Sequence, residues 1–92
     1  MMQLQWTSKA LSYLARLHEF LPPANQAAAA RAVQSLSVAP NNLVMKPRIG
    51  EKLDEFAPRE VRRIFVGQYE MRYEIRESTI HILRLWHTRE NR

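Results

Sequence analysis

Residues 69–76 alternate without a break. Tyr69, Met71, Tyr73 and Ile75 fall on one side of an extended chain, and Glu70, Arg72, Glu74 and Arg76 fall on the other. A period of two puts apolar groups on a covered face and charges on a wet one, which is the pattern of a half-buried β-strand. Strand-like segments flank it. Residues 61–66 precede it across Gly67-Gln68, the start of a tight turn, and residues 79–86 follow it across Glu77-Ser78. The last segment carries Ile80 and Ile82 on one face and Leu83 and Leu85 on the other. A strand apolar on both faces belongs inside a sheet. Three strands in succession therefore lead into His87-Thr88-Arg89-Glu90-Asn91-Arg92, a basic terminus. The expected wet face is a flat, charged surface suited to docking on a macromolecule rather than to enclosing a small substrate.

The N-terminal half reads as helix. A short strand at 3–6 precedes Thr7 and Ser8, whose side-chain oxygens suit a helix start. Ala10, Leu14, Leu17 and Leu21 recur at four-three-four spacing with Leu11 alongside, which predicts a helix over 8–21. Pro22-Pro23 ends it. Asn25 is placed to cap a second helix through the alanine run to about Val38, with Ala29, Ala32, Val33 and Leu36 on its inner face. So short a link makes the pair antiparallel, and Pro40-Asn41-Asn42 is expected to close the hairpin. Residues 43–60 hold too much apolar surface for free solution, so they read as an ordered connection, with Gly50 at a turn. The expected architecture is α+β: an antiparallel sheet of strand 1 and a C-terminal meander, with a helical hairpin on one face, in one domain over 1–92.

Charge and composition narrow the function. Fourteen Lys and Arg against nine Asp and Glu leave a net charge of +5, which favours an anionic partner such as nucleic acid or an acidic protein. A chain of 92 residues has a thin stability margin, to which a partner covering apolar surface would add. There is no cysteine, which excludes disulfides and thiolate metal sites and fits a reducing compartment. Lys9, Arg16 and His18 interrupt any export signal, and no apolar run is long enough to span a membrane. The cytoplasm is the expected location. No cofactor or metal is expected.

The strand-helix-helix-strand-strand-strand order, the Pro47-Arg48-Ile49-Gly50 turn, the 69–75 strand and the ending Ile82-Leu83-Arg84-Leu85-Trp86-His87-Thr88-Arg89-Glu90 resemble the RelE/ParE superfamily of toxins from bacterial type II toxin–antitoxin systems. The resemblance covers nearly the whole chain. It implies a small toxin held inactive in a hetero-oligomer by an antitoxin that lays a helix and an extended segment over it. RelE-like members cut messenger RNA on the ribosome, whereas ParE-like members poison DNA gyrase and carry no nuclease site.

Metal-free RNA cleavage needs a proton acceptor for the 2′-OH, a proton donor for the leaving oxygen, and cations for the phosphorane. By resemblance, Arg89, Lys46 and Lys52 lie where such nucleases carry basic residues, and a nuclease here would use Lys52, Arg72, His87 and Arg89. Against it, Glu70 stands where those nucleases tend to carry arginine and is expected to repel the phosphate, and the chain ends at Arg92 before a distal aromatic or closing helix. The Pro-Arg-x-Gly turn and short basic terminus are nearer ParE. The leading expectation is a gyrase poison contacting its target through Arg84, His87, Arg89 and Arg92. The alternatives are a ribosome-dependent endonuclease and a toxin-derived domain that only binds its antitoxin. The antitoxin is expected to have an acidic tail and to be encoded beside the toxin.

Several other residues have an ordinary reading. By parity His81 and His87 share one side of the last strand, His81 on its wet part and His87 satisfying backbone groups at its end. Two histidines without Asp, Glu or Cys partners make a poor metal site. Trp6, Trp86, Tyr69 and Tyr73 read as core. Arg48, Arg62, Arg63, Arg72, Arg84 and Arg89 form either one patch or a solvated face, which strand parity alone does not decide.

Overall fold

The structure is a computed structural model that describes residues 2–20 and 26–89. Strand β1 (Gln3–Trp6) leads into helix α1 (Ser8–Phe20). Helix α2 (Gln26–Val38) is followed by a short helix α3 (Pro40–Met45). A two-residue strand β2 (Glu51–Lys52) and one 3₁₀ turn (Asp54–Phe56) precede β3 (Glu60–Val66), β4 (Tyr69–Arg76) and β5 (Thr79–His87). The expected strands and both hairpin turns are present, with β3 and β5 each one residue longer than the pattern suggested. Leu21, Pro22, Pro23, the cap at Asn25, Glu90, Asn91 and Arg92 lie outside the described residues, as does the side chain of His18.

The five strands form one sheet in the order β1-β5-β4-β3-β2. It is mixed rather than antiparallel. The meander pairs antiparallel throughout, but β1 runs parallel to β5. Two hairpins reverse the chain twice between β3 and β5, so β5 runs in the sense of β3, and β1 shares that sense. Four residues of alternation carry no information about that sense. A second correction concerns Pro40, which starts α3 instead of closing the helical hairpin. Proline is accepted in a first helical turn, where its missing N–H has no partner to lose.

The core lies between α1 and the sheet. Ala10, Tyr13 and Leu17 of α1, with Leu36 of α2 and Leu43 of α3, pack on Met71, Tyr73, Ile75, Ile80, Ile82 and Leu85. Thr7 joins strand to helix. Its hydroxyl accepts the Ala10 N–H and lies 2.7 Å from the Ile82 carbonyl and 3.0 Å from that of Leu83, one of which takes its proton.

Those two carbonyls mark a β-bulge. Arg72 faces Arg84 across the β4–β5 ladder, whereas the next residue, Tyr73, faces Ile82, so Leu83 is extra. One extra residue reverses parity for everything beyond it. Leu85 therefore joins Ile80 and Ile82 in the core, instead of facing away from them. His81 pairs with Glu74 on the open face, and His87 pairs with Tyr69 on the helix-bearing one. The two histidines thus lie on opposite faces, not on the one side that strand parity predicts.

Candidate functional site

The face of the sheet away from the helices carries the charged residues of β4, but not as a uniformly wet surface. Glu70 is 0% exposed and Glu74 is 5% exposed. Each is covered by arginine. Arg72 Nε donates to Glu70 Oε2 at 3.0 Å, and Arg63 Nη1 stands 3.9 Å from the same oxygen. Arg59 makes a two-point fork onto Glu74, at 3.1 and 2.9 Å. That hydrogen bond holds the Glu74 carboxyl below the ordinary glutamate range, against burial, which acts in the opposite sense. Alternation correctly assigned these side chains to one face. What it missed is the segment 53–59, which folds back over that face with Leu53 buried and Phe56 beside Arg72. Glu70 lies beneath two guanidinium groups, so the expected repulsion between an exposed carboxylate and a phosphate does not arise there.

Arg63, Arg72 and Arg84 stand in direct register on three adjacent strands. They surround Trp86 and line a shallow cleft with it. The Arg72 guanidinium sits 4.8 Å from the centre of the Trp86 ring, and that of Arg84 sits 5.2 Å away. Trp86 is buried and belongs to the core cluster as expected, and two guanidinium groups also lie over its ring. Phe65 of β3 shares this open face and is 58% exposed, with Arg63 5.5 Å from its ring centre.

The other basic residues are arranged differently. Arg48 forks onto Glu60 at 2.9 and 3.0 Å, and Arg62 Nε reaches Glu60 Oε2 at 2.9 Å. Arg62 also donates to the carbonyls of Gly50 and Arg48. This pair braces the 47–50 turn from outside. Tyr73 braces it from inside, donating its hydroxyl to the Pro47 carbonyl at 2.7 Å and accepting the Gly50 N–H at 3.0 Å. Of the six arginines singled out in the sequence, Arg48 and Arg62 are structural, Arg63, Arg72 and Arg84 form one patch, and Arg89 lies beyond β5.

The four residues a nuclease would draw on are not brought together. Arg72 is on the open face. His87 is on the opposite face, edge-on to Tyr69 at 5.1 Å and 3.1 Å from Gln68 Oε1. Its backbone N–H donates to the Tyr13 hydroxyl, and its Nδ1 accepts the Arg89 N–H. Lys52 is exposed on β2, three strands from β5, a separation of about 14 Å at normal strand spacing. Lys46 is exposed just after α3. Of the residues expected to contact a target, Arg84 is on the open face, and His87 and Arg89 are adjacent at the end of β5. Among the described residues no group of three or more His, Cys, Asp or Glu is placed to hold a metal ion. No helix among them is long and apolar enough to cross a membrane.

Two apolar grooves open on the helix side. One runs between α3 and β3, lined by Leu43, Ile49, Ile64 and Val66, with Ile49 62% exposed. Strand β2 pairs with Arg62 and Arg63, so among the described residues that edge of β3 has no neighbouring strand from Ile64 onward. The second groove lies between α2 and the β3–β4 turn, lined by Ala32, Leu36, Val66, Tyr69 and His87.

The family model for the ParE toxin of type II toxin–antitoxin systems matches residues 4–92. Among solved structures, a chromosomal ParDE toxin–antitoxin system from P. aeruginosa superposes with a TM-score of 0.77 at 23% identity, covering 95% of this chain and 96% of that one. An archaeal RelE–RelB complex from Pyrococcus horikoshii OT3 gives 0.53 at 17% identity, with 98% of each chain covered. At such identities the two structures speak to the fold alone. No curated protein matches the sequence significantly.

Proposed function

The chain belongs to the ParE toxin family of type II toxin–antitoxin systems, and from that premise we propose that it acts in the cytoplasm as an inhibitor of DNA gyrase, held in check by an acidic-tailed antitoxin. The observation that carries the choice of target is the dispersal of Lys52, Arg72, His87 and Arg89. General acid–base cleavage needs its groups within hydrogen-bond reach of one phosphate. Here one candidate is on the open face, another on the helix-bearing face, and a third at the far edge of the sheet. Binding a protein target makes no such demand. Arg84, His87, Arg89 and Arg92 are the proposed gyrase contacts.

The antitoxin finds two kinds of purchase. An amphipathic helix suits the apolar grooves, and an extended segment suits the uncovered edge of β3 beyond Arg63. An acidic tail suits a chain of net charge +5.

The decisive experiment is a supercoiling and DNA-cleavage assay with purified toxin and gyrase. Loss of supercoiling at stoichiometric toxin, reversed by the antitoxin, is the expected result. Undisturbed gyrase at large toxin excess overturns the reading. Primer extension on translated messages, run in parallel after induction, exposes an RNA-cutting toxin through codon-linked breaks.

A further inference from the structure

Like charges placed directly opposite one another across a sheet are destabilising. Arg63, Arg72 and Arg84 break that rule twice, on three neighbouring strands of a small domain. Buried Glu70 offsets part of the repulsion from below, and exposed Glu51 pairs with Arg63 at the rim. Arg84 makes no ion pair among the described residues; its guanidinium rests on Trp86. The row spans roughly 10 Å at normal strand spacing. Each guanidinium carries five N–H donors, and the contacts described use few of them.

Beside the row, Phe65 is an exposed residue on the same face, with Arg63 over its ring. Cationic groups that follow a backbone, with an aromatic ring on which a base can stack, make up the common architecture of single-strand binding surfaces. An acidic peptide would use the arginines but has no use for an exposed phenylalanine at the end of the row. A duplex would use the arginines but offers no free base.

We propose that the Arg63–Arg72–Arg84 row and Phe65 form a binding site for single-stranded nucleic acid, with phosphates on the arginines and one base on the phenylalanine. The site is proposed to bind and not to cut, because the two carboxylates at the row, Glu70 and Glu51, are held in ion pairs with its arginines. It adjoins the α3–β3 groove assigned to the antitoxin, whose lining includes Arg63 and Phe65, and it does not depend on gyrase being the target.

The test is fluorescence anisotropy of a labelled mixed-sequence 12-nucleotide single strand titrated with the full chain, as DNA and as RNA, with the matching DNA duplex as a third probe. Binding is expected to weaken with salt at a log–log slope of about −0.7 for each phosphate neutralised. R84Q should lower single-strand affinity and make that slope shallower by about one phosphate. F65A should cost about tenfold on single strands and little on the duplex. Both side chains are exposed, so both variants should melt with the parent. K9Q, an exposed charge on α1, is the control. The proposal is overturned by absence of binding at low salt, by K9Q weakening binding as much as R84Q, or by F65A having no effect on single strands. Equal competition by a polyglutamate of matched charge also overturns it and assigns the row to an acidic protein segment.

Discussion

The Tyr73 hydroxyl occupies the space that any side chain on Gly50 would need. A Cβ there would stand 2.6 Å from Tyr73 Oη and 2.7 Å from the Arg63 carbonyl. The glycine of the 47–50 turn is therefore required by close approach. G50A should destabilise the fold by about 1–3 kcal/mol through overpacking. Y73F should cost about 1–3 kcal/mol by stranding the Gly50 N–H and the Pro47 carbonyl. The double variant should lose less than the sum of the two, because Tyr73 supplies part of the clash. Urea denaturation of the four proteins measures that coupling.

The buried carboxylate under the arginine row gives a second prediction. E70Q keeps the shape of the side chain but removes the charge opposite Arg72 and Arg63. It should cost about 1–3 kcal/mol, and added salt should recover part of the loss by screening the three arginines from one another. A salt-independent loss would show that Glu70 acts by packing alone.

Stability should fall in acid, and the sign follows from two glutamates. Arg59 holds Glu74 below its ordinary value. Burial acts to raise Glu60, but hydrogen bonds from Arg62 and Arg48 outweigh it, so Glu60 is also lowered. A carboxyl depressed in the folded state contributes stability that is complete above its unfolded value, near 4.3, and is lost as the pH drops through its folded value. The urea midpoint should therefore be level above about pH 5 and decline below about pH 4. E74Q should make that decline shallower, a difference that paired pH titrations of the midpoint detect.

The two hairpin loops are not equally comfortable. Gly67 has φ of +59° and suits it, whereas Glu77 has φ of +56°. A left-handed residue with a Cβ costs about 1 kcal/mol or more. E77G should raise the melting temperature, and G67A should lower it although open space surrounds that Cβ position. Each shift should be a few degrees, about 4–8 °C per kcal/mol for a domain this size, and calorimetry reads both.

Removing Thr7 Oγ1 should affect more than a helix cap. T7V leaves the Ala10 N–H and the carbonyls at the Leu83 bulge without the hydroxyl. A loss of about 1–2 kcal/mol is expected. Amide exchange should accelerate around residues 82–86 as well as in the first turn of α1, whereas a pure cap effect would be confined to the helix.

Much of this arrangement can be read from residue patterns, and the failures have definite causes. Period-two alternation located β4, and Gly67-Gln68 and Glu77-Ser78 located the loops, because those signals are local. Alternation says which face a side chain takes, but not what returns to cover that face. Alternation alone therefore makes Glu70 and Glu74 wet, whereas Arg72 and Arg59 lie over them. The bulge at Leu83 has no glycine or proline to announce it, and it reverses the faces of Trp86 and His87. The register that aligns Arg63, Arg72 and Arg84 depends on two separate strand pairings and on that bulge. No single segment of sequence contains it.

The parallel pairing of β1 with β5 sets a schedule for the molecule. The first strand reaches its partner only after some 75 further residues have been added and residues 79–82 have cleared the exit tunnel. The meander that carries Arg63, Arg72 and Arg84 pairs between neighbouring strands, but its closure against β1 waits for β5, so the whole sheet is completed late in synthesis, which leaves an antitoxin already present in the cell time to meet it.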